Sequence, residues 1–348
     1  MEANVDGSLT PAGEFDPRAT ADRLAAESTA WDTSVVVEAE PGDIPVVDVG
    51  PWFASGSRDD LDSAADVLRD ALERVGFHQL VGHGVPTAVT DGILDATRRF
   101  HALPEATKRR ILIDQPDHAV GGVGYMPVGT RKLPTRERGN PNEAFLVKRD
   151  RHLGFDDNRW LPEEDLPGFR ALVESYAMTM ERLALRLLPV WARALELDPD
   201  WFAPAFEHPF WRLRMTHYPG EGLGDGDLGE HGIPPHVDTT FMTLLLAGGP
   251  GLTIYSESRR RWILAPVERG AFIVNSGELL RQWSNDRVLS TRHFADNPTA
   301  ASRYAVPFFF NATADHPMHC LPSCHGPGNP PKYPPISYLE SQGVVQGE

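Results

Sequence analysis

The chain has 348 residues, 41% of them hydrophobic, enough to fill one large core or two smaller ones. A formal charge of −16 opposes binding to nucleic-acid phosphates, and two cysteines, Cys320 and Cys324, are too few for a disulfide framework. No apolar run approaches the ~20 residues of a membrane-spanning helix and no basic-then-apolar leader follows Met1, so membrane residence is not expected and a cytoplasmic location is.

The first 43 residues carry ten Asp or Glu against Arg18 and Arg23, a net −8. Residues 1–42 have little apolar periodicity and read as a mobile acidic extension, with a short helix near Ala19 to Ala30. The β-branched run from Ile44 to Val49 predicts a strand. Leu61, Ala64, Ala65, Leu68, Leu72 and Val75 recur at helical spacing, predicting a helix over 59–75 that Gly76 ends. A strand over 77–81 follows, then Gly82-His83-Gly84-Val85-Pro86, then a helix through Ile93, Ala96, Phe100 and Leu103.

Residues 121–142 are dense in Gly, Pro and Arg and read as a long loop, the candidate lid, in which Tyr125, Met126 and Arg131 are placed to touch a ligand. The longest apolar periodicity, 167–197, predicts the longest helix. From Trp211 onward short β-type runs alternate with Gly and Pro, the texture of an antiparallel sandwich or barrel. Helices therefore dominate the first part and strands the second, an α+β chain. Residues 270–275 and 288–294 read as strands, with a turn over 277–283 between them.

Among thirteen histidines, only His236 is followed two positions later by a carboxylate, Asp238. On a strand, positions i and i+2 share a face, so both side chains can converge on one ion. His293 supplies a second imidazole on the predicted strand 288–294. Two His and one carboxylate, leaving positions open, suit a non-haem ferrous ion. Ten residues on stands Arg303, a cation able to grip a carboxylate through two charge-assisted hydrogen bonds. His83 reads as a structural hydrogen bonder, and His217 and His231 as bystanders. His316, His319, Cys320, Cys324 and His325 offer nitrogen and sulfur donors, but not at the spacing of a common zinc module.

These motifs resemble, in order, the isopenicillin N synthase-like family of 2-oxoglutarate and Fe(II)-dependent dioxygenases over about residues 43–340. The resemblance rests on Ile44-Pro45-Val46-Val47-Asp48, Gly76-Phe77, His83-Gly84-Val85-Pro86, Phe100-His101-Ala102-Leu103-Pro104, Arg214-Met215-Thr216-His217-Tyr218-Pro219, His236-Val237-Asp238, Gly270 to Asn275, Arg281-Gln282-Trp283-Ser284-Asn285, His293 and Arg303. It implies a double-stranded β-helix, or jelly roll, over 201–348, preceded by a leader region over 43–200 with supporting helices. It further implies Fe(II) held by His236, Asp238 and His293, 2-oxoglutarate contacted by Arg303 and Tyr218, and dioxygen as the oxidant. The implied reaction is hydroxylation, desaturation or cyclisation of a small organic molecule in specialised metabolism, antibiotic biosynthesis among the settings; oligomeric state is left open.

Two positions depart from the family pattern. Ala305 stands where the family's Arg-x-Ser has its serine, and Thr216 stands where an asparagine is common. Losing a neutral donor costs about 0.5–1.5 kcal/mol, whereas stripping a buried carboxylate of its arginine costs about 3–5 kcal/mol, so Arg303 keeps 2-oxoglutarate the expected co-substrate. An iron oxidase that uses no 2-oxoglutarate, and a jelly-roll binding module without activity, stay open as alternatives. By alternation, Ala305, Pro307 and Phe309 share the face of Arg303, and Arg214 and Thr216 share that of Tyr218. Arg214 and Phe309 are therefore the candidate substrate contacts.

Overall fold

The computed structural model describes residues 32–113, 122–130, 139–149, 157–220 and 231–342. Arg131 and the helix anticipated near Ala19 to Ala30 lie outside them. Strands β1 (Val36–Glu38), β7 (Ile233–His236), β9 (Leu252–Ser256), β10 (Arg261–Leu264) and β12 (His293–Ala295) form a five-stranded sheet in the order β1-β10-β9-β12-β7. The second sheet has eight strands, β2 (Val46–Asp48), β3 (Phe77–Val81), β4 (Gly124–Met126), β5 (Glu143–Arg149), β6 (Phe210–Tyr218), β8 (Met242–Ala247), β11 (Phe272–Ser276) and β13 (Arg303–Asn311), in the order β2-β3-β11-β8-β13-β6-β5-β4. The sheets face each other across apolar side chains from both: Leu252 and Ile254 pack with Phe77 and Ile273, and Ala295 packs with Tyr218 and Ala305. The two packed faces are those of a jelly roll, with helices against the outside of the larger sheet.

Those helices are amphipathic, as their sequences dictate. Helix α1 (Gly50–Ser55) leads into α2 (Arg58–Arg74), whose Ser57 side chain accepts from Asp60 N and which buries Leu61, Ala64, Ala65, Leu68 and Leu72. Next come α3 (Thr87–His101), the single turn α4 (Glu105–Lys108) and α5 (Phe169–Ala194), the longest described element. Phe100, Phe169 and Trp191 of these helices share one core with Phe145, Leu213, Val306 and Phe308, outward-facing residues of the larger sheet. The short α6 (Glu278–Trp283) and α7 (Tyr338–Ser341) complete the helices used below.

The structure differs from the sequence expectation in four places. The extension expected through residue 42 already carries β1, which pairs in parallel with β10 and whose neighbour Asp32 accepts from Trp262 Nε1 at 2.9 Å. The long loop over 121–142 contains β4, paired with β5, because Gly124 to Met126 find backbone partners there. Residues 278–283 are α6 rather than a turn, and the strand expected over 288–294 is confined to His293–Ala295. Since β2 to β5 join the same sheet as β6, β8, β11 and β13, the leader region and the jelly roll share one continuous sheet.

Candidate active site

Strand β7 ends at His236, and Asp238 lies two residues beyond it rather than on the strand. The convergence anticipated from strand alternation is achieved instead by the turn. Asp238 O accepts from Glu278 N at 2.7 Å, docking that turn onto the start of α6. Gly277 permits the approach: a Cβ there would lie 2.3 Å from Thr240 O and 2.8 Å from Asp238 O. His293 opens β12 directly opposite His236 in the antiparallel register. The rings are 4.3 Å apart between centroids, and each Nε2 lies 3.8 Å from Asp238 Oδ1. One ligand atom from each of the three residues falls within 4.8 Å of the other two.

The surroundings orient these atoms. His236 Nδ1 donates to Pro234 O at 2.9 Å and His293 Nδ1 to Thr291 O at 3.0 Å; since a carbonyl only accepts, each Nε2 is left as the lone-pair nitrogen. Asp238 Oδ2 accepts from Thr243 Oγ1 at 2.7 Å and Asn275 Nδ2 at 2.9 Å, which leaves Oδ1 turned toward the imidazoles. Burial pushes the Asp238 carboxyl up, but the two imidazoles and these donors outweigh it and hold the group below its ordinary value. Two borderline nitrogens and a hard oxygen on one side of a point match a ferrous ion. Thr243 and Asn275 were not singled out by sequence as supports; a threonine five residues after the carboxylate, in an otherwise apolar strand, was the available signal.

Arg303 stands opposite Tyr218 in the β13–β6 register, its guanidinium 4.6 Å from the Tyr218 ring centroid. Its Nε donates to Gly249 O at 3.2 Å, while Nη1 and Nη2 are buried without a hydrogen-bond partner. Burial, at 3% exposure, pulls its pKa down, although guanidinium stays charged at any physiological pH. Gly251, at φ +133°, lets the side chain pass: a Cβ would lie 2.9 Å from Arg303 Nε. A buried cation with two orphaned donors is a receptor for a carboxylate.

Register puts the other candidates on the same inward face. Phe309 pairs with Thr243, the residue bonded to Asp238, and Arg214 lies two residues before Thr216 on β6. Arg214 is buried, and its Nη2 donates to Asn142 Oδ1 at 2.7 Å. Met126, Ala144 and Leu146 cluster on that face too. Tyr125 does not: it faces the helices, against Phe100, and its hydroxyl donates to Glu105 and Glu143. It belongs to the core and is no lid residue.

A second cluster, His101, Glu143 and His217, also brings three ligand atoms within 4.8 Å of one another. Its carboxylate is already neutralised, with Lys108 Nζ 2.7 Å from Glu143 Oε2, so a further cation would meet a like charge. His217 Nδ1 donates to Glu143 Oε1 at 2.7 Å, and its ring stacks on Tyr304 at 4.8 Å. His83 Nε2 bonds Gly270 O at 2.6 Å, and His231 bonds Asp296 at 3.1 Å.

Comparison with known proteins gives the same picture. Residues 44–165 match the family model described as the N-terminal region of non-haem dioxygenase in morphine synthesis, and residues 211–312 match the 2OG-Fe(II) oxygenase superfamily. Validamycin A dioxygenase of Streptomyces hygroscopicus subsp. limoneus is 30% identical over 287 residues, covering 78% of this chain and 77% of that protein. The 2-oxoglutarate-Fe(II) type oxidoreductase hxnY of Emericella nidulans is 29% identical over 310 residues, covering 84% and 86%. Among solved structures, a 2OG-Fe(II) oxygenase family protein from Caulobacter crescentus superposes with a TM-score of 0.72 at 26% identity, covering 86% of this chain and 97% of that one. With jelly-roll fold, relatives and both family regions in agreement, the chain belongs to the isopenicillin N synthase-like family of 2-oxoglutarate- and Fe(II)-dependent oxygenases.

Proposed function

We propose that His236 Nε2, Asp238 Oδ1 and His293 Nε2 hold the ferrous ion of this oxygenase, and that Arg303 with Tyr218 seats the far carboxylate of 2-oxoglutarate. The observation that carries this reading is the divided carboxylate of Asp238. One oxygen is tied to Thr243 and Asn275, and the other faces both Nε2 atoms at 3.8 Å. Bound there, iron would couple oxidation of 2-oxoglutarate by dioxygen to attack on an unactivated C–H bond of the substrate.

The protein's own part is orientation and exclusion of water. The carbonyls of Pro234 and Thr291 fix both imidazole tautomers, and Thr243 and Asn275 fix the carboxylate. Arg303 sits at 3% exposure, where a carboxylate–guanidinium contact is little weakened by solvent. Arg214 and Phe309, on the same face, would line the substrate's side of the chamber. Residues 43–200 serve as the supporting leader and 201–348 as the jelly roll with the chemistry. The substrate is a small organic molecule, and the relative named for validamycin A supports a place in specialised metabolism.

Anaerobic addition of Fe(II) and then 2-oxoglutarate tests the reading. A weak visible charge-transfer band is expected for the wild type and not for Asp238→Ala. A band that survives in Asp238→Ala, or turnover without one succinate per product, contradicts it.

A further inference from the structure

The register of the larger sheet puts the support of Asp238, an aromatic ring and two cations in one row. Thr243 on β8 pairs with Phe309 on β13, Phe309 with Arg212 on β6, and Arg212 with Lys148 on β5. Directly opposed residues of an antiparallel pair project to the same face. Here it is the inner face, since the alternate residues Val147, Trp211, Leu213 and Phe308 point outward into the core shared with the helices. Arg214, at 4% exposure, stands one inward step along β6 from Arg212 and opposite Leu146. On β5, β6, β8 and β13 together, this face carries the cations Lys148, Arg212, Arg214 and Arg303 and no carboxylate. The chain as a whole has a formal charge of −16, so average composition does not explain a wall of that sign.

Arg303 is taken up by the proposed co-substrate; the cations at the other end of the face are not. Among the described residues Arg212 has no hydrogen-bond or ion-pair partner. It is half-buried and directly opposed to Lys148, and like charges in that relation destabilise a strand pair. An anion between the two side chains turns the repulsion into attraction. Adjacent strands lie about 4.8 Å apart, so the backbone of Arg212 stands two spacings, roughly 10 Å, from that of Thr243, and Phe309 occupies the interval. We propose that Arg212 and Lys148 hold an anionic group of the substrate, a carboxylate or a phosphate, while its organic body lies across Phe309 toward Asp238. The substrate is thereby an organic anion whose charge is remote from the bond that reacts. Guanidinium offers a fork of donors and ammonium a point charge, and both anions match that pair. The inference rests on the proposed iron site at His236, Asp238 and His293.

The test is calorimetric and independent of turnover. Enzyme loaded with Co(II) is saturated with 2-oxoglutarate, so that Arg303 is occupied, and titrated with three probe series of matched chain length. These are the acids from phenylacetate to phenylvalerate, the corresponding primary alcohols, and the phosphate monoesters of those alcohols. In the wild type, at least one acid or ester is expected to bind about tenfold or more tighter than its alcohol, as a hydrogen bond between charged groups provides. Arg212→Gln should abolish that preference and leave the alcohol within about twofold. A preference shown by the acids alone assigns a carboxylate, and one shown by the esters alone a phosphate. A wild type that binds no acid or ester more tightly than its alcohol overturns the proposal, as does a preference that survives in Arg212→Gln. If Arg212→Gln fails to fold, Lys148→Gln is read by the same criteria. Failure of the underlying reading looks different: the visible spectrum of bound Co(II) would then be the same in Asp238→Ala as in the wild type.

Discussion

Thr243 Oγ1 lies 2.7 Å from Asp238 Oδ2 and Asn275 Nδ2 lies 2.9 Å from the same oxygen, so one carboxylate oxygen is fully engaged before any metal arrives. These bonds decide which oxygen is offered. Thr243→Val should lower Fe(II) or Co(II) affinity about tenfold or more without altering the circular dichroism spectrum, as loss of an outer partner of a metal ligand does. Unchanged affinity in a metal titration would show that the carboxylate needs no such support.

If Asp238 is the hard ligand, as proposed, Asp238→Ala leaves two imidazoles, too few to hold iron against water. Turnover should fall to background, with no succinate detected above the metal-free control, while thermal unfolding stays cooperative. Activity above about 1% of wild type would place the ligand elsewhere.

Arg303 carries a buried guanidinium with Nη1 and Nη2 unpartnered, a cost that the proposed carboxylate would relieve on binding. Arg303→Met should therefore melt no lower than wild type without co-substrate, and by about 2–4 °C higher for each 1 kcal/mol recovered. The rise in melting temperature that 2-oxoglutarate gives the wild type should vanish in the variant. A co-substrate-dependent shift that persists would mean the anion sits elsewhere.

Glu143 joins three segments: Lys108 Nζ lies 2.7 Å from Oε2, His217 Nδ1 2.7 Å from Oε1, and His101 Nδ1 3.4 Å from Oε1. Burial alone would raise its pKa, but His101, His217 and Lys108 outweigh burial and hold it far below the usual carboxylate range. A carboxyl depressed on folding contributes stability above its unfolded value, about 4.3, and that contribution is lost as pH falls from there toward the folded value. Glu143→Gln strands buried Lys108 and should cost about 3–5 kcal/mol near neutrality. The gap in stability between the two proteins should narrow as pH falls below about 4.3, by about 1.4 kcal/mol per pH unit, so that urea midpoints at pH 3 lie closer together than at pH 7. A gap that stays constant with pH would remove the charge from the explanation.

Much of this centre was readable from residue order, because metal chemistry restricts ligand types and His236-Val237-Asp238 is the one His-x-carboxylate spacing among thirteen histidines. The β-face logic also served for Arg303, Ala305 and Phe309 and for Arg214, Thr216 and Tyr218, since alternation is local. Asp238 itself departs from that logic, for it sits in a turn pinned by Glu278 N. Contacts between distant segments were illegible. Asn275 reaches Asp238 across 37 positions, Asn142 reaches Arg214 across 72, and Met215 O meets His101 across 114. Strand β4 was hidden for a related reason: Gly124 to Met126 owe their conformation to β5, and nothing within three residues signals it.

The N-terminal pairing of Val36, Val37 and Glu38 with Trp262, Ile263 and Leu264 has a bearing on how the protein behaves in company. A bare β10 would offer a ladder of open amides and carbonyls to any passing strand, the usual route to unwanted polymerisation. Strand β1 covers that margin, and being three residues long and ending on Glu38 it makes a poor template itself. Shortening the polypeptide to begin at residue 43 would unsheathe it, and sedimentation should then report association that climbs with concentration.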